Sequence, residues 1–367
     1  MHEDRPSTAP DFLLSRATGS VRTQGARATF TSAEAAVDAL RRGDAEMVVG
    51  AIPFDSDTPA ALTVPEFIIR EDGPLEPHAF YRNQSLNSRV VGFDPEPEEH
   101  LRRVEAAIGT IETSKLEKVV LARAVDIEFA APIDPRLVAA RLIDLSVNRD
   151  GFIADLSPAG RPGAMLVGSS PEVLIKRQGS TVSAFPLAGS TPRRANKAAD
   201  HIASQDLLHS AKDLLEHSFV VEHLRRILEP LCSSLDIPET PQLIHTSEMW
   251  HLGTPVTGTL RDKELTALEL AEVVHPTPAI CGTPTEAAQA LIETAETDRG
   301  FYAGTVGWCD SSGDGEYMVA IRCAEVAGDG LSARAWAGGG VVGASNAQAE
   351  LEETTAKLQT ILRALSL

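Results

Sequence analysis

Apolar positions recur along the chain with two periods, which divide it into many short strands and a few long helices. Ser32 ahead of AEAAVDALRRG reads as an N-cap, with the helix ending at Gly43, and EMVVGAIPF then reads as a strand closed by a turn over residues 55–59. Residues 97–111 predict a helix leading into the strand LEKVVLARAVDIEF. Further strands are predicted at GAMLVGSS, EVLIKRQ, TVSAFPLAG, LIHTSEMWHLGTPVTGTL, FYAGTVGWCD, YMVAIRCAEVA and LSARAWAGGG. Helical spacing runs unbroken over residues 197–231 and again over 347–365. Residues 1–27 carry little periodicity and are expected to be a variable, partly mobile N-terminus, while the polar, proline-bearing residues 83–99 read as a linker. Strands outnumber helices and are joined by tight polar turns such as DSSGDGE, so the pattern predicts antiparallel sheets in an α+β fold.

Composition narrows the function. An apolar fraction of 43% in 367 residues is enough for a large core and excludes disorder as the main state. The net charge of −19 has the wrong sign for a protein whose affinity comes from neutralising phosphates, so nucleic acid is not an expected partner. An anionic substrate would need a local cationic pocket or a metal to draw it in. No secretory core and no apolar run long enough for a membrane span occur, and Cys232, Cys281, Cys309 and Cys323 form no CxxC pair. A reduced, cytoplasmic protein with no membrane partner is the expectation.

The run Gly338-Gly339-Gly340-Val341-Val342-Gly343 matches GxGxxG, but the chain after it has room for one helix and no second βαβ unit, which argues against a dinucleotide fold. It reads instead as a glycine-rich turn whose bare backbone approaches a ligand and offers N–H groups to an anion. The segment Asp310 to Glu316 lacks calcium-loop spacing and reads as a hairpin turn. Asp213 and Glu216 are spaced i,i+3 on one helix face, and Glu350, Glu353 and Lys357 share a face of the last helix. The bland reading is two solvated acidic stripes; pointed at one another, they would make an oxygen-rich site for a hard ion such as Mg²⁺. Lys118 within EKVVLAR either snorkels at a sheet edge or is desolvated for chemistry, and Glu172 in GSSPEVLI is an acid flanked by apolar residues. Opposite perturbations of the two in one cleft would assign base and acid.

In this order, EKVVLAR, VGSSPEVL, FPLAGSTPR, KDLLEH, HLGTPVTG, VVHPTPAICGTP, DRGFYAGTVGW, YMVAIRCA, AGGGVV and ELEETTAKL closely resemble the chorismate-utilising enzymes, and among them the isochorismate synthases. The resemblance spans about two-thirds of the chain, from about Leu116 to Ile361. It implies a single large α+β domain of two antiparallel sheets with outer helices over residues 28–367, with a more variable part at 28–95 and the motif-bearing core at 96–367. It also implies a Mg²⁺-dependent site that exchanges the 4-hydroxyl of chorismate for a water-derived hydroxyl at C2. By the same resemblance Lys118 is the general base and Glu172 the general acid. Glu216 and Glu353 are metal ligands, and Asp213 and Glu350 are supporting acids that act through water. Arg322, Tyr302 and the Gly338 backbone grip the enolpyruvyl carboxylate, and Gly189, Ser190, His251, Ala279 and Lys357 line the pocket.

Asp213 is shorter than the glutamate found there in several relatives, which argues against direct metal contact. Ala279 stands where amine-adding and salicylate-forming relatives tend to carry threonine, which ranks isochorismate synthase first, salicylate synthase second and an ammonia-dependent synthase third. The resemblance leaves open whether the product serves menaquinone, siderophore or salicylate-derived pathways. A scaffold that had lost its chemistry would lack Lys118, Glu172 or a metal glutamate, and all are present. With 5% aromatic residues and no heptad, the sequence offers no interface signal, so a monomer is the default.

Overall fold

The structure, a computed structural model, describes residues 9–82 and 86–367. Within them the strands form two large antiparallel sheets and one small one. The ten-stranded sheet runs, neighbour to neighbour, through Gly282–Thr283, Lys118–Phe129, Ser332–Val342, Cys323–Val326, Met165–Gly168, Gly151–Asp155, Phe12–Arg16, Gly19–Gln24 and Phe67–Glu71, with Ser88–Asp94 also pairing along Lys118–Phe129. The nine-stranded sheet runs through Cys232–Asp236, Val256–Leu260, Thr181–Phe185, Val173–Gln178, Gly315–Val319, Thr305–Asp310, Met47–Ile52, Ala61–Val64 and Ala28–Phe30. Leu187–Pro192, Met249–Gly253 and Gln242–His245 make the small third sheet, which the sequence pattern did not separate from the others. The predicted α+β fold of two antiparallel sheets with outer helices is the one observed.

Strand alternation distributes the core. Phe12 and Leu14 join the apolar core shared with the second sheet through Val49, Ile175 and Val306. Leu13, between them, points the other way, into a cluster with Val125, Ile127, Leu142 and Leu358 beneath the helices Pro135–Leu145 and Ala347–Ala364. Both helices have side-chain caps: Asp134 accepts from the N–H of Arg136 and Asn346 from that of Ala349.

Three readings of the pattern are corrected. Within residues 1–27, Phe12–Arg16 and Gly19–Gln24 are paired strands built into the ten-stranded sheet; they are too short for periodicity to reveal, and pairing with Gly151–Asp155 and Phe67–Glu71 fixes them. Of the linker at 83–99, residues 83–85 lie outside the described residues. Ser88–Asp94 is a largely exposed edge strand on Lys118–Phe129, and its polar character reflects its solvent-facing position. The helix over 197–231 breaks at Ser210, which ends Lys197–His209 and N-caps Ala211–Leu231, its Oγ accepting from the Asp213 N–H at 3.3 Å. The break opens the second helix on Lys212 and Asp213.

Candidate active site

Several single apolar runs in the sequence are two strands in different sheets, and the residues between those strands build the site. GAMLVGSSPEVLIKRQ leaves the ten-stranded sheet after Gly168 and joins the nine-stranded sheet at Val173, with Glu172 at the crossing. YMVAIRCAEVA makes the reverse crossing, with Arg322 between Val319 and Cys323. The two crossings lie side by side and bond to each other: the Ser169 N–H donates to the Arg322 carbonyl and the Val319 N–H to the Glu172 carbonyl, both at 3.1 Å. The Tyr302 segment joins them, since the Ala303 N–H donates to the Ala320 carbonyl and the Ala320 N–H to the Gly304 carbonyl, both at 2.8 Å. Arg322 has φ +53°, a left-handed conformation that costs a non-glycine residue about 1 kcal/mol and is held here by its neighbours.

These crossings enclose a cavity whose wall includes Val120, Glu172, Gly189, Ser190, Glu216, His251, Ala279, Tyr302, Arg322, Gly338, Gly340 and Lys357. Pro171 and Arg322 also line a neighbouring cleft that contains Arg16, Asp150 and Glu248. The Arg322 guanidinium is buried; Nη2 lies 3.4 Å from His251 Nε2, and Nη1 has no partner. A buried, unsatisfied guanidinium nitrogen in a cavity wall is costly unless an anion binds there. His251 is held neutral, its pKa driven well down by burial and by the charges of Arg322 and Lys357. Tyr302 is buried and stacks on Trp336 with centroids 5.7 Å apart.

Glu172 is 3% exposed, and burial pushes its carboxyl up to about 7 against the pull of the Leu187 N–H and the charges of Lys118, Lys357 and Arg322. It therefore gains and loses its proton near neutrality. Lys118, fully buried at the start of its strand, has Nζ 3.1 Å from Glu216 Oε1, close but without hydrogen-bond alignment. The snorkelling alternative is thereby excluded for this lysine.

The glycine run is not a turn. Gly338 to Gly340 lie inside strand Ser332–Val342, opposite Ala122, Leu121 and Val120. The N–H groups of Ala122 and Val120 bond to Glu296 and Cys281 instead, so Gly338 and Gly340 turn their backbone groups away from this ladder, and the Gly338 carbonyl accepts from Lys357. The glycines also have a steric use. A Cβ on Gly338 would stand 2.8 Å from the Tyr302 hydroxyl, and one on Gly340 2.0 Å from Glu216 Oε1 and 3.0 Å from Lys118 Cε. Gly339, on the opposite face, faces Glu350 Oε2. Gly189 has φ +78°, and its missing Cβ makes room for Asp213.

A lysine of one helix links the two acidic faces. Ser190 Oγ donates to Glu353 Oε1 at 2.9 Å, Lys357 Nζ lies 2.5 Å from the same oxygen, and Lys212 Nζ donates to Glu350 Oε1 at 2.7 Å. Lys357 also donates to the Gly338 carbonyl at 3.0 Å. Burial and the neighbouring charge of Glu353 push Glu350 up to about 7. Burial acts the same way on Glu353, but Lys357 and Lys212 outweigh it and hold that carboxyl low. Asp213 is raised, chiefly by burial, with Glu216 and Glu353 adding to the effect. Both faces sit near the starts of their helices, where the dipole favours anions. The donor set is all carboxylate oxygen, and Glu350 Oε2 is buried without a partner, which fits a hard divalent ion. The oxygens are nevertheless engaged by lysines, and no group of three or more His, Cys, Asp or Glu among the described residues is arranged as a ready-made cage.

Ten of the fourteen residues singled out in the sequence line this cavity; Lys118 and Glu353 contact its lining through Glu216 and Ser190, Asp213 packs against Gly189, and Glu350 lies on the other face of the glycine strand, held by Lys212. Sequence reasoning missed Lys212, although it precedes Asp213 in KDLLEH, one helical turn before Glu216. It also missed Glu296 and Arg299. These two form a buried ion pair at 2.8 Å that braces the strand of Val120: Arg299 donates to the Val120 and Ile280 carbonyls, and Glu296 accepts from the Ala122 N–H. Only the three-dimensional pairing of 296 with 299 and 122 reveals that role.

The profile of chorismate-binding enzymes matches residues 71–366. A Mycobacterium tuberculosis protein provisionally described as an isochorismate synthase is 44% identical over 364 residues, covering 97% of this chain and 96% of that one. The Bacillus subtilis isochorismate synthase DhbC is 42% identical, with 91% and 84% covered. Among solved structures, a Bacillus anthracis protein provisionally described as a 2,3-dihydroxybenzoate-specific isochorismate synthase superposes with a TM-score of 0.90 at 37% identity, covering 100% of this chain and 98% of that one. With this match over most of its length, the chain belongs to the chorismate-binding enzyme family.

Proposed function

We infer that this chain is an isochorismate synthase that converts chorismate to isochorismate, an isomerisation in which water enters at C2 as the 4-hydroxyl leaves. The observation that carries the site assignment is a buried lysine, Lys118, against Glu216 of the cavity wall, with a buried carboxyl, Glu172, raised to about 7 in the same wall. Lys118 takes the proton of the attacking water, and Glu172 gives its proton to the departing hydroxyl, so one water is consumed and one released. The free Arg322 nitrogen, beside neutral His251 and Tyr302, holds a substrate carboxylate, while Gly338 and Gly340 keep the wall thin enough for the ring. Gly189, Ser190 and Ala279 also line the cavity.

Glu216 and Glu353 are the residues that would hold Mg²⁺, with Asp213 and Glu350 acting through water. The bound ion would supply a positive charge for a substrate carboxylate within a chain of net charge −19. Ala279 in the cavity wall supports the isochorismate outcome over the salicylate one. Among the described residues no helix is long and apolar enough to cross a membrane. A cytoplasmic monomer serving menaquinone or siderophore biosynthesis completes the reading. The deciding experiment is chromatography of products after incubating the protein with chorismate and Mg²⁺ in the absence of ammonia. Isochorismate alone is expected; salicylate with pyruvate would replace this reading with salicylate synthase.

A further inference from the structure

The lysine that sequence reasoning missed has no part in the acid–base chemistry, yet it stands among the acids. Lys212 Nζ is hydrogen-bonded to Glu350 Oε1 at 2.7 Å, and its charge acts on Glu350, Glu353 and Glu216 together. It lies on an open groove with Ser210, Asp213, Gln348 and Glu353 on the far side of Ser190 from the cavity. Glu350 is 1% exposed, and its second oxygen, Oε2, has no partner. An ammonium on one oxygen with the other left unsatisfied is an incomplete neutralisation of a buried carboxylate.

We propose that Lys212 is an internal competitor for the divalent ion: it balances the Glu350–Glu353 pair when no metal is bound and must yield that place when one binds. This rests on the reading of Glu216 and Glu353 as metal ligands. Two features favour competition over a purely structural role. The lysine head is a compact point charge on a flexible four-carbon stem, able to leave the cluster for the adjoining groove without disturbing the backbone. In addition, Lys118 and Lys357 already pair Glu216 and Glu353, so Lys212 serves neither of those ligands as sole partner. The consequence is weak metal binding by the free protein, so that the site fills mainly when substrate supplies a further anionic group. By linkage, metal and chorismate each strengthen the binding of the other.

The test is direct Mn²⁺ binding, followed by the loss of the free-ion electron paramagnetic resonance signal, on wild type, Lys212→Met, Lys212→Gln and Lys212→Arg, with and without chorismate. Lys212→Met is expected to bind Mn²⁺ about tenfold tighter than wild type without chorismate, equivalent to about 1.4 kcal/mol, and to show a smaller gain on adding chorismate. Lys212→Gln keeps a donor for Glu350 without the charge and is expected to behave like Lys212→Met, which covers the case in which the methionine variant does not fold. Lys212→Arg is expected to restore weak binding. Equal or weaker Mn²⁺ affinity in Lys212→Gln, with wild type binding Mn²⁺ in the presence of chorismate, overturns the competitor role and leaves the metal reading standing. Absence of Mn²⁺ binding in every protein, with chorismate present, overturns both.

Discussion

The cavity wall and the acid-bearing helix starts are both rich in buried charge, yet they satisfy it differently. Along the wall, Arg322 Nη1 has no partner, and burial raises the Glu172 carboxyl to about 7, so the chain itself leaves these groups unbalanced. On the helices, Glu350 and Glu353 face lysines 2.7 and 2.5 Å away, and Glu216 faces Lys118 at 3.1 Å, so three carboxylates are balanced by the chain itself. The wall is preorganised, with its desolvation already incurred on folding, whereas the helix cluster is poised and has to exchange partners. Lys118 belongs to both regions, because its strand forms the wall and its counter-ion comes from a helix.

The largest effect should come from Lys118. Lys118→Ala is expected to lower kcat about a thousandfold or more and, by leaving the buried Glu216 without its lysine, to lower the melting temperature while chorismate binding persists, as measured by isochorismate formation, thermal melting and equilibrium titration. An unchanged turnover would remove the base from the wall.

Gly340→Ala strikes the seam between the two regions. Its Cβ would stand 2.0 Å from Glu216 Oε1 within a strand held by the Lys118–Phe129 pairing, so the carboxylate and the lysine beside it must shift. A loss of about a hundredfold in kcat/KM is expected, since ångström-scale misplacement of catalytic groups has that cost. Near-normal kinetics would mean that the Lys118–Glu216 approach is irrelevant.

Glu353→Gln tests the poised region alone. It removes a charged ligand and the counter-ion of Lys357, and is expected to raise the Mg²⁺ concentration needed for half-maximal rate by about tenfold, by analogy with the loss of one charge-assisted contact. Indifference of the wild-type rate to chelator would reject the metal assignment outright.

The smallest expected effect is a pH profile. Glu172 is raised from an ordinary carboxyl value of 4.5 to about 7, so as the acid it is active when protonated, and kcat/KM should fall as pH rises through about 7. The stability sign runs the same way. A raised folded-state value means that the folded protein binds the extra proton, so this contribution is full below about 4.5 and is lost as pH rises through 7. Glu172→Gln should therefore lose activity yet show a flatter dependence of melting temperature on pH between 6 and 8. A wild-type profile with no alkaline limb would contradict the assignment.

Much of this was legible before any fold was known. Residues 97–111 form a helix that extends to Thr113, and LEKVVLARAVDIEF holds the long strand Lys118–Phe129. The last helix ends within one residue of its expected boundary, and Asp310 to Glu316 is a hairpin turn. The motif order pointed to the family, and ten of the fourteen candidate residues it named line the cavity. The break at Ser210 was illegible because a serine that caps a helix and a serine tolerated within one look alike in a hydrophobic pattern. The glycine run was misread as a turn because glycine signals both loops and close backbone approach, and only the ladder to Lys118–Phe129 distinguishes them.

By itself, then, the sequence determined the kinds of element, the chemistry of the side chains and the kinship, because these depend on residue type and local spacing. Tertiary structure alone decided that YMVAIRCAEVA and GAMLVGSSPEVLIKRQ each cross between sheets, that the crossings bond to one another, and that Lys212 sits among the acids. A period of two fixes which face a side chain takes, but not which sheet its strand joins. That choice is made by hydrogen-bond partners far away in the chain, and here it placed Glu172 and Arg322 in the wall of the same cavity.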